Sequence, residues 1–294
     1  MKKVIVTGGS GGAGNAVIKH LLAHDYDCVN LDMMPPKEAH CRFIQADMAD
    51  YGAVLAAMKG CDAVVHFAGN PSPDADHIEG AARFDNNTVA CFNAFNAAMA
   101  QGIKRVVWAS SETIFGFPFA KNQPLEVPAY EDTPRTPQTA YAISKAATED
   151  IAEMMAELYG MVFVGLRLSN VLYDDPDHAQ NFQSIPGYWK DVNSRRFNTW
   201  GYVHSEDSAE AVRLSLEADL TGANVYTIAA PDTIMNIPTR EIVEQVWPGL
   251  KVHTSVSGRD AFLNCEKAGI ELGWKAKHTW ASVLGRNLDT GDLL

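Results

Sequence analysis

The sequence predicts a doubly wound α/β fold, a parallel sheet covered on both faces by helices, with a small C-terminal lobe. Two observations carry that prediction. Up to about residue 170, short apolar runs alternate with helical patterns, and the runs are near-continuously apolar, as strands buried on both faces must be. The first run also ends directly in a glycine-rich stretch that opens a helix.

Taken in order, the apolar runs place strands at 4–7, 28–32, 42–47, 63–69, 105–111 and 162–169. Helical patterns fall between them at 12–24, 51–59, 79–101 and 139–159. Such alternation implies right-handed crossovers and a parallel sheet. Beyond residue 170 the pattern loosens. The stretch 173–200 is polar, carries prolines and has no clear period, so it is expected to line a pocket. A helix at 207–219, a strand at 224–229, a helix at 237–246 and a terminal helix at 265–272 complete the expectation. Residues 1–170 would form a dinucleotide-binding domain, and residues 171–294 a small substrate-binding lobe interleaved with it in one compact unit.

Composition narrows the function classes. The 294 residues are 47% hydrophobic and 20% charged, as in ordinary globular chains. A formal net charge of −12 argues against nucleic acid or an anionic membrane surface as partner. No apolar run approaches the ~20 residues of a membrane helix. The opening run Val4-Ile5-Val6 is too short for a secretory leader. Five cysteines, widely spaced and without a CxxC pair, fit a reducing, cytoplasmic setting and no structural metal.

The glycine-rich stretch reads Thr7-Gly8-Gly9-Ser10-Gly11-Gly12-Ala13-Gly14. Gly8 permits a tight turn, Gly11 lets backbone approach a pyrophosphate, and Gly14 lets the helix pack close to the strand. The helix start adds unpaired N–H donors and a favourable dipole. This is the phosphate loop of a Rossmann-type sheet, with Ser10 and Gly12 at its tip. Asp32 closes the second strand, where a carboxylate can accept hydrogen bonds from the ribose hydroxyls of NAD and would repel the extra phosphate of NADP. No arginine stands in the next four positions, which favours NAD.

Tyr141 and Lys145 are spaced i, i+4, so both side chains share one helix face. A phenol is a poor base, and a neighbouring ammonium lowers its pKa. Together with Ser110-Ser111 at the end of the fifth strand and the phosphate loop, this pair resembles the extended short-chain dehydrogenase/reductase family, the NAD-dependent epimerases and dehydratases. Further pieces match in order. Asp47-Met48 resembles the family's pair at the adenine ring, and His66-Phe67-Ala68-Gly69 its turn beside the cofactor. Asn87 resembles its helix asparagine near the active site. Arg167 to Val171 and Tyr202-Val203-His204 with Asp207 resemble its later motifs. The resemblance covers nearly the whole chain. It implies that Tyr141 is the general acid/base, that Lys145 tunes it and holds the nicotinamide ribose, and that Ser111 hydrogen-bonds the reacting oxygen. Ser111 is preferred to Ser110 because it stands four residues before Phe115-Gly116, matching the family's aromatic-glycine pair. His66 is expected to be structural. The family often pairs through the helices near 87–101 and 140–159, which implies a homodimer.

Among the family's reactions, a nucleotide-sugar site usually brings a long segment between the two later motifs. Asn170 to His204 is only 34 residues, and the usual Gly-Pro after the first motif is missing. Dehydratases carry Asp-Glu after the catalytic hydroxyl, whereas Ser111 is followed by Glu112-Thr113. The chain most resembles the branch of uronate and aldose dehydrogenases, in which an arginine five residues before a tryptophan binds the substrate's anionic group. Arg195 stands five before Trp200. That branch shows Asn-His where Glu112-Thr113 stands. The expected activity is oxidation of a free or anionic sugar at its anomeric carbon to a lactone, with NAD as cofactor and Ser72, Ser111, Glu112, Asn170 and Arg195 around the sugar. The alternatives are a nucleotide-sugar 4-epimerase with tightly held NAD, a reductase of another small carbonyl compound, and a non-enzymatic cofactor sensor, whose relatives typically lose Tyr or Lys.

Overall fold

The structure, a computed structural model, describes residues 2–72, 77–176, 178 and 180–287. The chain runs β1 (Lys3–Thr7), α1 (Gly12–Ala23), β2 (Asp27–Asp32), β3 (Arg42–Gln45), α2 (Tyr51–Ala57), β4 (Ala63–His66), α3 (His77–Ala100), β5 (Arg105–Ser111), α4 (Ala140–Tyr159) and β6 (Val162–Leu168). It continues through β7 (Val171–Leu172), α5 (Gln180–Gln183), α6 (Ile185–Tyr188), β8 (Val203–His204), α7 (Ser205–Glu217), β9 (Ala223–Ile228), α8 (Thr239–Val246), α9 (Glu266–Leu272) and α10 (Trp280–Leu284).

Seven strands form one sheet in the order β3-β2-β1-β4-β5-β6-β9. β1 lies parallel to both β2 and β4, with Thr7 opposite Leu31 on one side and His66 on the other. The chain steps outward from β1 to β2 and β3, then returns to lay β4 on the opposite side. That reversal puts a crevice at the carboxyl ends of β1 and β4, the place where doubly wound sheets bind ligands.

The chain divides into two compact units. The first comprises 1–111, 139–167 and 208–226. Its strands are rich in Val and Ile, and Val4, Ile5, Val6, Val64 and Val65 are wholly buried, as a two-faced parallel sheet requires. On one face Phe95 of α3 packs against Trp108 and Phe163, with ring centroids 5.3 and 4.7 Å away. A Cβ on Gly165 would lie 2.7 Å from the Trp108 ring, so glycine is what lets the indole lie against β6.

The second unit comprises 112–138, 168–207 and 227–294. Its centre is aromatic. Trp200 packs against Trp247 and Phe262, and the buried Tyr202 donates a 2.6 Å hydrogen bond to Asp232 while accepting one of 2.7 Å from the Trp280 backbone. β7 and β8 form a separate parallel pair.

Three features add detail to the sequence reading. Around the boundary read at residue 170 with an interleaved lobe, contacts group 112–138 with the later residues and 208–226, most of α7 and the start of β9, with the earlier ones. The run 63–69 is strand only as far as His66, after which the chain turns off the sheet into the loop that contains Gly69 at φ +154°. The segment 173–200 contains two single-turn helices, pinned by the indoles of Trp189 on Ile234 O and Trp200 on Val192 O. No described helix is long and apolar enough to cross a membrane.

Candidate active site

The phosphate loop sits at the reversal. Gly8 has φ +72°, and a Cβ there would lie 2.5 Å from Ala68 N. A Cβ on Gly14 would lie 2.2 Å from Gly8 O, so helix α1 can approach its own loop only without one. Gly11 differs. Its added Cβ would meet only Gly8 O, at an ordinary 3.4 Å. Packing within the protein therefore does not demand glycine at 11, and its bare Cα leaves the backbone open on that side. Gly11 is also the N-cap of α1, with no side-chain cap and no acidic residue in the first turn. The N–H groups around Gly12 are thus left with the positive helix end for an anion.

Asp32 ends β2 beside this loop. Its Oδ2 accepts from Ser10 N at 3.0 Å and its Oδ1 from Met34 N at 3.1 Å. Asn30 donates to Ser10 Oγ at 3.1 Å, and a Cβ on Gly9 would strike the Asn30 side chain at 2.4 Å. The sequence reading did not single out Asn30, since a polar residue inside a buried strand is the only signal it gives. These residues fit a dinucleotide: an uncapped helix end for the pyrophosphate and a strand-end carboxylate for the ribose.

The neighbouring loop is held by side chains. Thr7 Oγ1 and His66 Nδ1 share a 2.7 Å hydrogen bond, and Ala68 N donates to Thr7 Oγ1 at 3.3 Å. Burial, helped by the charge of Lys145, pushes the His66 pKa down to about 3. His66 is therefore neutral and structural. Phe67, Ala68 and Gly69 follow it on the surface of the crevice, half-buried to exposed. Asn87 of α3 accepts from Asn70 N at 2.8 Å and donates to Asn70 O at 3.1 Å, clipping the loop after β4 to the helix. Ser72 lies exposed in that loop, its N–H donating to Asn70 Oδ1. Asp47 is exposed and caps a turn at Ala49 N, while Met48 is buried and its carbonyl accepts from Asn93.

The proposed chemical groups also belong to the first unit. Thr139 caps α4 by accepting from Ala142 N at 3.1 Å, which fixes the turn bearing Tyr141. Lys145 stands one turn further, its Nζ 5.5 Å from the centre of the Tyr141 ring and donating to Ala109 O at 2.7 Å. That bond anchors the ammonium to β5, whose last residue is the buried Ser111. Ser110 faces elsewhere, into a buried network with Glu149 and Arg167.

In the second unit a cavity of about 330 Å³ is lined by Asn170, Gln180, Asn181, Ser184, Tyr188 and Arg195, among others. Arg195 lies between the rings of Tyr188 and Phe197, 5.3 and 4.9 Å from their centres, and its buried Nε has no hydrogen-bond partner among the described residues. Burial lowers its pKa from the usual arginine value. Arg196 points to Trp247 instead. Glu112 opens a short 3-10 turn and is buried. Burial raises its carboxyl to about 8, against the pull of Ser169, Arg195 and the Asn170 backbone. Its Oε2 and Ser169 Oγ make no well-formed hydrogen bond, and Gly201 lies within 3.5 Å of both by its absent Cβ. Tyr188 and Asn181 escaped the sequence reading because they lie on a segment with no period, and Ser169, inside the strand read at 162–169, was given no site role.

Comparison with known proteins completes the picture. The model of the NAD dependent epimerase/dehydratase family matches residues 4–229. A UDP-glucose 4-epimerase of Lacticaseibacillus casei is 27% identical over 94% of this chain and 92% of its own length. A uronate dehydrogenase of Pseudomonas putida is 30% identical over 57% of this chain and 60% of its own. Among solved structures, a uronate dehydrogenase from Agrobacterium tumefaciens has a TM-score of 0.67 at 22% identity, covering 96% of this chain and 86% of that one. MoeE5 in complex with UDP-glucuronic acid and NAD has a TM-score of 0.73 at 20% identity, covering 98% of each chain.

Proposed function

The chain belongs to the NAD-dependent epimerase/dehydratase family, and from that premise we propose that it oxidises a free, anionic sugar at its anomeric carbon to a lactone. The carrying observation is Arg195, a half-buried arginine whose buried Nε is unpartnered among the described residues, lining a cavity of about 330 Å³. That volume lies at the low end of the ~300–1,000 Å³ of ligand pockets. It suits a single sugar ring better than a nucleotide sugar. A planar fork of donors suits a carboxylate.

Bound NAD supplies the acceptor for the hydrogen and electron pair leaving the anomeric carbon. Tyr141, as phenolate, takes the proton of the anomeric hydroxyl, so the C–O bond gains its second bond as the C–H bond breaks. Lys145 stabilises the phenolate by its charge. Ser111 donates a hydrogen bond to the same oxygen and holds it in line for the transfer. Gly8, Ser10, Gly11, Gly12 and Gly14 receive the pyrophosphate, and Asp32 the adenosine ribose. Asp47, Met48, Phe67, Ala68 and Gly69 contact the rest of the cofactor. Asn87 positions that last loop. Ser72, Glu112, Asn170 and Arg195 select the sugar.

The end-to-end match to an epimerase favours one second reading, interconversion of a UDP-sugar with NAD retained. Purified protein mixed with NAD and a panel of aldoses, uronic acids, sugar phosphates and UDP-sugars separates the two. NADH from a free acidic sugar supports oxidation. UDP-sugar interconversion without net NADH supports epimerisation.

The proposed state is a homodimer through α3 and α4, which pack together and leave Val89, Phe92, Met154 and Leu158 exposed. Light scattering on the purified chain tests it. The unpaired cysteines fit the proposed cytoplasmic location.

A further inference from the structure

The last turn of α1 carries His20 and, at its C-cap, His24, one helical turn apart. Opposite them on α7 stands Glu210, in the same compact unit. The ring centres of the two histidines are 4.4 Å apart, and one ligand atom from each of His20, His24 and Glu210 lies within 4.8 Å of the others. The geometry points to a binding site for a borderline divalent cation of the zinc class, held by these three side chains with its remaining positions open to water.

The hydrogen bonds prepare the ligands. His24 donates from Nδ1 to the His20 carbonyl at 2.8 Å, since a carbonyl can only accept. In the neutral ring that leaves the lone pair on Nε2, oriented by the backbone, as the outer partners of metal-bound histidines commonly do. His20 Nε2 stands 2.9 Å from Glu210 Oε2, and a cation there would take the place of the shared proton. Burial lowers the His20 pKa, which favours the neutral ring that a metal needs. Glu210 is held in turn: Arg213 donates from Nε to Oε2 at 2.8 Å and from its NH2 group to Oε1 at 3.1 Å. Arg213 also pairs with Glu217 at 2.6 Å, so two carboxylates face one guanidinium and a cation would meet a net negative charge. Two imidazoles and one carboxylate suit zinc, whose open sites keep three protein ligands.

A second cluster, His204, Glu206 and His278, shows by contrast what such a site requires. Glu206 N donates to His204 Nδ1 at 3.1 Å, so the neutral ring keeps its proton on Nε2 and turns it to Asp174 at 3.4 Å. That nitrogen has no lone pair to offer. In the α1–α7 cluster His20 Nε2 also turns its proton to Glu210, but no backbone N–H among the described residues occupies His20 Nδ1, so the proton can move there and free Nε2 for a cation, which would tie the helix that begins at the phosphate loop to α7.

Calorimetry with zinc chloride on the full chain, with cobalt(II) absorption as a second probe, tests this. The expected result is one saturable zinc per chain that raises the melting temperature. His24→Ala, at an exposed position, should weaken it by at least the ~10-fold that loss of an outer-shell partner costs. The double variant His20→Ala/His24→Ala should abolish both zinc binding and the cobalt band, while His278→Ala leaves them unchanged. Absence of saturable binding overturns the site. So does binding that survives the double variant, or binding lost on His278→Ala. Should the double variant fold poorly, His24→Ala decides alone.

Discussion

Ser110 donates a 2.6 Å hydrogen bond to Glu149, and this single contact separates it from its neighbour Ser111. Glu149 also accepts two bonds from Arg167, at 3.0 and 2.9 Å, all of them buried. Ser110→Ala should leave kcat nearly unchanged and cost about 1–3 kcal/mol of stability in a denaturant melt, because it removes a donor from a buried carboxylate. Ser111→Ala should lower kcat by about 10²–10³-fold. Equal kinetic losses in the two variants would reassign the hydroxyl.

Tyr141→Phe keeps the ring and removes the proton carrier. Turnover should fall by ~10²–10⁴-fold, the usual worth of general acid–base catalysis. NAD affinity, measured by fluorescence titration, should stay within about twofold, since the phosphate loop and Asp32 are untouched. Near-normal turnover would remove Tyr141 from the mechanism.

Arg195→Ala should raise KM for an acidic sugar by ~10–100-fold, corresponding to the loss of one charge-assisted bond of about 1.5–3 kcal/mol. For a neutral sugar of the same ring the change should be small. A uniform rise for both would make Arg195 a packing residue between Tyr188 and Phe197.

Glu112 carries a pH signature. Its folded pKa, raised to about 8, lies above the ordinary carboxylate value of 4.5. Between those values the folded state binds a proton that the unfolded state has lost, so stability falls as pH rises across that window. The contribution is fully present below pH 4.5 and gone above about 8. Glu112→Gln should flatten the decline in melting temperature from pH 5 to 8.5. An unchanged slope would mean that Glu112 ionises normally.

Asp32→Ala should weaken NAD and narrow its preference over NADP, read as the ratio of kcat/KM for the two cofactors. It also frees Ser10 N, to which Asp32 is bonded at 3.0 Å. A weaker NAD with an unchanged ratio would mean that Asp32 only braces the loop.

Much of the first unit was legible because its signals are local. Gly8, Gly11 and Gly14 lie within one turn and one helix start, and Tyr141 and Lys145 share one helix face, so spacing alone positions them. The two later motifs also located Asn170 and the helix after His204. The harder features depend on contacts remote in sequence. Asn87 matches the family's helix asparagine by its place in the sequence, but its clip to Asn70, seventeen residues away, is visible only in the fold. Helix α10 went unread because its cap uses Ser282 where a capping box usually has Glu or Gln. The buried state of Glu112 follows from Ser169, Arg195 and Asn170, which no local pattern brings together.

The chain passes from one unit to the other after residues 111, 138, 167, 207 and 226. Neither unit is therefore a continuous stretch of gene, and no single cut releases one intact. A shuffling event that exchanged the C-terminal half with a relative would split both units at once. New substrate preferences on this scaffold are more readily reached by replacing short internal cassettes, such as 168–207, whose two ends both border the first unit. The interleaving thus favours change by loop grafting over change by domain exchange.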